Sequence, residues 1–336
     1  MITDNKFYLF NKLKEKRVPL HVQMELTAKC NHNCLHCIRQ RDIKKELKAQ
    51  EIKRILGELA DSGCLQLTFT GGEPLLRKDF FEICDFAKAK NFTLRLFTNG
   101  SLINHSIIEK LKKIKFKEIK LPLFSVNPQA HDAITRTPGS LRKALQAIKL
   151  LEINNIPFRV SSVIMRNNIQ ELGNLKKLAK QKGWRFNYDS IIYPAYSGSN
   201  FPLVNRVRNK DVYFLKHRRL LACVRYKSRE SKINELKCFY QGNLHCYISV
   251  EGKVFPHATV RLLAGDLRKE TFREIWDNSL QLNRLRALKP EDFDCFHCGS
   301  FLDCPWELGL AFAEQERITA RPKEYCRIEN ILRKEE

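Results

Sequence analysis

His21-Val-Gln-Met-Glu-Leu-Thr-Ala-Lys-Cys30-Asn-His-Asn-Cys34-Leu-His-Cys37 opens on a short apolar run and closes on three cysteines. Residues 21–26 read as a strand, and helical period follows over 49–60. The unit then recurs: strand 65–70 and helix 78–90, strand 92–97 and helix 103–114, strand 118–125 and helix 141–152. Strand 157–164, helix 170–180 and strand 185–192 complete the series. Six strands alternating with five helices predict βα units around a parallel sheet of the α/β class. Residues suited to chemistry fall repeatedly just after strands, which points to closure into a barrel or part of one. Pro122 inside the fourth strand is unexpected, because proline removes a ladder donor.

After residue 192 the alternation stops at Tyr193-Pro-Ala-Tyr-Ser-Gly-Ser-Asn-Phe-Pro202, a run of turn formers that marks a boundary. The predicted organisation is an N-terminal extension 1–20, a barrel 21–195, a basic bridging segment 196–237 and a small irregular cysteine-rich domain 238–336. Between Arg206 and Lys237 stand 11 Lys or Arg against three acids. The whole chain of 336 residues carries a formal charge of +23 with 43% hydrophobic residues, enough for a substantial core. The charge suggests an anionic partner, whether nucleic acid, membrane surface or acidic peptide. No run of 18 apolar residues and no signal-like N-terminus occur, so the expected location is the cytoplasm, without a membrane. A reducing cytosol discourages disulfides, and the 12 cysteines therefore need another explanation.

Cys30, Cys34 and Cys37 form C-x3-C-x2-C directly after the first strand. Three thiolates on one short loop can hold three corners of a cubane iron–sulfur cluster and leave one iron open. The alternative is a zinc knuckle, with His32 or His36 as fourth ligand. At the end of the second strand lies Gly71-Gly72-Glu73-Pro74, where two glycines permit close backbone approach and a carboxylate can accept from an ammonium.

Together with Phe97-Thr-Asn99-Gly100 after strand three, Ser125-Val-Asn127 after strand four, and His131-Asp132 through Arg136, this combination resembles the radical SAM enzymes over roughly residues 20–195. The resemblance implies a partial (β/α)6 TIM-like barrel with a 4Fe-4S cluster on Cys30, Cys34 and Cys37. The open iron would be chelated by S-adenosylmethionine (SAM), whose reductive cleavage gives a 5′-deoxyadenosyl radical. By position, His36 would lie beside adenine, Glu73 would hold the methionine ammonium, and Gly71 and Gly72 would supply backbone. Asn99 belongs to the same cofactor set. Ser125 would contact ribose or carboxylate, Asn127 replaces the more frequent aspartate, and Arg136 would fork onto the methionine carboxylate.

Cys295-x2-Cys298-x5-Cys304, with Cys326 beyond, suits zinc on spacing alone. Beside such a barrel it resembles the SPASM extension of peptide-maturing enzymes, which carries auxiliary iron–sulfur clusters. Ile248-Ser-Val-Glu-Gly-Lys-Val-Phe-Pro256 and Gly265-Asp-Leu267 match its hairpin and glycine turn. His257 and Leu308 stand where a full set would have cysteines, so the resemblance implies one auxiliary 4Fe-4S cluster, on Cys295, Cys298, Cys304 and Cys326. Cys238, Cys246 and His257 are further candidate ligands. Cys64 and Cys84 read as core residues. Cys223 is either a hydrogen-atom donor to a substrate radical or a buried structural thiol.

Three functions are open at this point. The first is modification of a ribosomally made peptide by cross-linking, thioether formation or epimerisation. Its partners would be an acidic peptide, a ferredoxin or flavodoxin as electron donor, and a separate leader-binding protein. The second is radical chemistry on a polycarboxylate small molecule such as a tetrapyrrole. The third is a nucleic-acid-binding iron–sulfur protein, against which stands the lack of an interleaved stacking motif in the basic segment.

Overall fold

The computed structural model describes residues 4–40, 43, 45–218, 220, 242–299 and 308–333. A helix α1 (Asp4–Glu15) precedes strand β1 (His21–Glu25), which buries Val22 and Met24 completely and leaves His21 and Gln23 partly open. This is the period-two division of a strand between two faces. The alternation repeats in β3 (Thr93–Phe97) and β4 (Glu118–Pro122), and with β2 (Gln66–Thr70), β5 (Phe158–Val163) and β6 (Phe186–Asp189) each strand runs parallel to its predecessor. Helices α2 (Ala49–Asp61), α3 (Phe80–Ala89), α4 (His105–Ile114), α5 (Pro128–Thr135), α6 (Ser140–Ile153) and α7 (Glu171–Lys182) connect them. In α2, the buried Ile52, Ile55, Leu56 and Leu59 recur at i, i+3, i+4 and i+7, the stripe that packs on the sheet. The fold is the expected partial, open TIM-like α/β architecture.

Two differences position the site. The expected strand 118–125 ends at Pro122, and α5 is a helix that the sequence reading lacks. Asn127 explains α5: its side chain accepts from Ala130 N at 3.1 Å, and Pro128 takes the first helical position. Pro122 is tolerated because β4 bonds β5 through Ile119 N and Leu123 N, whereas the β3 side of its ladder stops at Lys120. The donor that proline lacks would therefore face the side on which pairing has already ended. A helix α8 (Asn209–His217) also stands within the basic segment.

The C-terminal part does not stand apart from the barrel sheet. Strand β7 (His245–Ile248) pairs in parallel with β1, and β8 (Lys253–Phe255) and β9 (Gly265–Asp266) extend it antiparallel. The nine strands run β6-β5-β4-β3-β2-β1-β7-β8-β9. Helices α9 (Phe272–Asn278), α10 (Leu280–Ala287), α11 (Leu308–Gln315) and α12 (Lys323–Arg333) follow. The hairpin and glycine turn thus form in the expected order, and the short helix α9 follows them. No helix among the described residues is long and apolar enough to cross a membrane.

Candidate active site

The three cysteines of the first loop line one cavity of about 420 Å3 at the carboxyl ends of the strands. None of the three is in a disulfide. The loop is fixed by backbone bonds to the end of α5, from Asn33 N to Thr135 O and from Leu35 N to Ile134 O, both 2.9 Å. Tyr196 N donates to Ile38 O at 2.6 Å, and Asn205 Nδ2 donates to Leu35 O at 3.2 Å. The missed helix α5 is thus one of the walls that hold the cysteine loop.

Gly71 and Gly72 line the same cavity and pack on the chain leading into Cys30. Gly72 N donates to Thr27 O at 2.6 Å, and Glu73 N to Lys29 O at 2.8 Å. A Cβ on Gly72 would stand 1.7 Å from Lys29 O, and one on Gly71, whose φ is +140°, would stand 2.4 Å from Thr27 O. The glycines are therefore required by backbone crowding alone. Glu73 is fully buried: Oε1 accepts from Thr98 Oγ1 at 2.7 Å and Leu75 N at 3.1 Å, and Oε2 accepts from Asn99 N at 2.7 Å. Burial pushes its carboxyl above the usual range, and these donors partly oppose the shift.

Asn99 lines the cavity, with Nδ2 donating to Asn31 Oδ1 at 2.8 Å and 3.9 Å from Cys30 Sγ. His36 also lines it, edge-on to Phe124 at 4.9 Å, its pKa lowered to about 4 by burial and then by Arg39. The remaining expected cofactor residues lie outside the lining. Ser125 Oγ donates to Glu171 Oε2 at 2.6 Å, Asn127 caps α5, and the Arg136 guanidinium lies over the Phe201 ring at 4.9 Å. Residues not singled out from the sequence complete the wall: Gln23, Glu25, Arg39, Lys120, Tyr196 and Tyr247. Their inward position follows from strand alternation for Gln23, Glu25 and Lys120, which was the available signal.

The donor set suits a cubane better than a single ion. Among the described residues, no three His, Cys, Asp or Glu side chains converge on one ion-sized point, which a zinc site needs at about 2.3 Å from sulfur. Three soft thiols spread around one cavity match the corners of a cluster instead. Arg39 supports this: its Nη1 is buried without a hydrogen-bond partner. Burial works against its charge, while Cys37, Cys30 and Glu25 hold it cationic.

At the second cysteine group, Cys298 N donates to Cys295 O at 3.1 Å, which closes the C-x2-C turn. Burial pushes the Cys295 thiol up to about 11, with Cys326 next in effect and Cys298 also contributing, so the three are neighbours. Arg317 holds the turn by forking onto Asp294 at 3.0 and 2.6 Å. Cys304, Cys238 and Cys223 lie outside the described residues. Cys246 sits in the main core, whereas its strand neighbour His245 faces His257, with ring centroids 5.1 Å apart. Alternation along β7 therefore sends Cys246 and His257 to different faces.

Two family models match the chain, the Radical SAM superfamily over residues 24–179 and the SPASM iron–sulfur cluster-binding domain over residues 238–299. Residues 24–179 are a radical SAM superfamily domain. The chain's cofactors are SAM and iron–sulfur clusters, and it is an enzyme with a SPASM domain. Among relatives, it is 28% identical over 305 residues to an AdoMet-dependent heme synthase of Methanosarcina barkeri, covering 80% of this chain and 85% of that one. It is 27% identical over 308 residues to the mycofactocin maturase MftC of Mycolicibacterium smegmatis, covering 85% and 77%. The fold matches that of Streptococcus suis SuiB bound to precursor peptide SuiA, with TM-score 0.70 and 15% identity over 96% of this chain and 80% of that one. It also matches anSMEcpe with bound AdoMet, at TM-score 0.70 and 17% identity over 94% and 92%.

Proposed function

We propose that this radical SAM enzyme abstracts a hydrogen atom from a peptide, with Cys30, Cys34 and Cys37 holding the SAM-binding cluster. The observation that carries the reaction is the set of three cysteines, none in a disulfide, that line one cavity with Gly71, Gly72 and Asn99. When bound, the cluster and SAM supply the one-electron chemistry that ends in removal of a substrate hydrogen. The chain's own residues position and enclose. The α5 end clamps the cysteine loop, Gly71 and Gly72 keep the adjoining backbone close, and Glu73 fixes the 98–99 turn. His36 would flank the adenine. The reading includes ribose and carboxylate contacts from Ser125, Asn127 and Arg136. Cys295, Cys298, Cys304 and Cys326 would hold the auxiliary cluster, and an external ferredoxin or flavodoxin would reduce the enzyme.

The peptide reading is supported by the SPASM domain and by relatives named a mycofactocin maturase and a PqqA peptide cyclase. A second reading, radical chemistry on a carboxylate-bearing tetrapyrrole, is supported by the heme synthase relatives, which match most of the chain. Anaerobic reconstitution with SAM and dithionite, followed by measurement of 5′-deoxyadenosine, tests both. Stimulation by a peptide encoded beside the gene supports the first, and stimulation by a carboxylate-bearing tetrapyrrole supports the second. No 5′-deoxyadenosine under any reducing condition would overturn the catalytic reading.

A further inference from the structure

Several charged side chains surround Lys120, and the arginines among them are engaged. Arg159 forks onto Glu118 at 3.0 and 2.9 Å, and Arg185 reaches the same oxygen at 3.5 Å. Arg39 is held by the electrostatic pull of Cys37, Cys30 and Glu25. Lys120 differs. It stands on β4 between Phe97 of β3 and Arg159 of β5, and it lines the cavity that contains the three cysteines. Its Nζ lies 4.9 Å from the centroid of the Phe97 ring. Its backbone carbonyl accepts from Thr98 N, whereas among the described residues its ammonium makes no hydrogen bond and no ion pair.

We propose that Lys120 is a substrate-binding residue, the anchor for a carboxylate on the part of the substrate that enters the barrel. The inference rests on the substrate cavity of the preceding section and goes beyond it by naming the recognised group. A desolvated ammonium gains more from a carboxylate than an exposed one, because less water screens the pair. Burial already pulls Lys120 below the ordinary lysine range, and Arg159 adds to this while Asp189 and Glu118 oppose it. Neither acid satisfies it. Asp189 accepts from Ile191 N at 2.9 Å, and Glu118 is shared by the two arginines. Phe97 braces the ammonium without neutralising it, an arrangement that leaves its N–H donors for an incoming anion. Ser161, across on β5, adds a hydroxyl to the same wall. Either an acidic peptide side chain or a tetrapyrrole propionate offers the matching group.

The test is lysine footprinting of the reconstituted enzyme with SAM, using brief acetylation and mass spectrometry of the peptide containing Lys120. The probes are a tetracarboxylate porphyrin against its tetramethyl ester, and a hexaglutamate peptide against hexaglutamine. Protection of Lys120 by a carboxylate probe and not by its neutral counterpart is expected, and the probe that protects identifies the source. Lys120→Gln should weaken binding of that probe by about 10- to 100-fold, the worth of one charged hydrogen-bonded pair. Lys120→Arg should retain most of the affinity, which guards against a folding defect. Equal acetylation with charged and neutral probes, or no protection by any of them, overturns the assignment, as does unchanged affinity in Lys120→Gln. Uncoupled 5′-deoxyadenosine formation without substrate is measured in parallel. Its absence from the unsubstituted enzyme counts against the reaction, whereas its persistence without carboxylate protection counts against Lys120 alone.

Discussion

Glu73→Gln separates two roles that the Gly-Gly-Glu-Pro segment can play. Both carboxylate oxygens are consumed by Thr98 Oγ1, Leu75 N and Asn99 N, and the side chain is fully buried. A glutamine oxygen can replace one carboxylate oxygen, but its amide then presents N–H to a donor. With the oxygen toward Thr98 and Leu75, the Asn99 amide loses its acceptor. One charge-assisted bond is worth about 1.5–3 kcal/mol, and a buried unsatisfied donor costs about 1–3 kcal/mol. Relief from burying a charge offsets part of that sum, leaving a net loss of about 3 kcal/mol. An unfolding entropy of about 2.1 cal/mol/K per residue gives about 0.7 kcal/mol/K for this chain. The expected fall in Tm of the reconstituted protein is therefore about 4 °C, with the 98–99 turn and Asn99 displaced. SAM affinity, measured by equilibrium dialysis, should fall less than tenfold if the role is to anchor the turn. An unchanged Tm with SAM binding abolished would refute this reasoning and restore Glu73 as the partner of the methionine ammonium.

Gly72→Ala places a methyl against backbone at Lys29 O, which no rotamer change relieves. A loss at or above about 3 kcal/mol is expected, with iron content falling more than secondary structure; full iron loading would contradict the packing argument. His21, His245 and His257 form a stack with pKa values lowered to about 3, 4 and 3, chiefly by burial. Depressed base pKa values mean that the unfolded chain takes up protons first as pH falls. The stability they contribute is complete above about pH 6.5 and declines toward pH 4, by about 1.4 kcal/mol per histidine at pH 5.5. Tm should drop by about 6 °C between pH 7.5 and 5.5, and His257→Phe should flatten the slope by about a third; a flat profile would contradict the burial of the stack. Iron analysis after reconstitution should give about eight atoms per chain, the content of two four-iron clusters, and twelve would show that His257 and Leu308 do not interrupt a third site.

The βα alternation was legible because each strand and helix carries its own period. What the pattern hid was contextual. Helix α5 is eight residues long, and its signal is an Asn-Pro start that reads equally as a turn. The β1–β7 pairing joins His21 to His245 across the chain, and no local period specifies a partner so distant. The site was legible in its cysteines and glycines, since those residue types are needed by the chemistry and by the close backbone approach. Glu73, Ser125 and Arg136 were less so. Their side chains bond to Thr98, pair with Glu171 and cover Phe201, contacts set by loops that only tertiary packing brings together. Lys120 was visible as an inward position of β4, but its lack of an ionic partner depends on how Glu118 is shared.

The two cysteine groups are mechanically joined through the hairpin. β7 lies beside β1, the strand that leads into Cys30, and the segment after β8 brings Thr259 into the cavity wall. Gly309 of α11 packs so closely there that a Cβ would stand 2.1 Å from Thr259 Oγ1. Arg261, from the same segment, lies 4.0 Å from the Tyr196 ring and 3.8 Å from the Phe255 ring. Tyr196 in turn bonds the cysteine loop at Ile38. The cavity wall is thus built jointly by the barrel, its last loop and the SPASM hairpin. Close-packed interiors transmit displacement instead of absorbing it. Replacement of Cys295, Cys298 or Cys326 should therefore be felt at the cavity through α11 and Thr259, whether or not these residues hold a cluster.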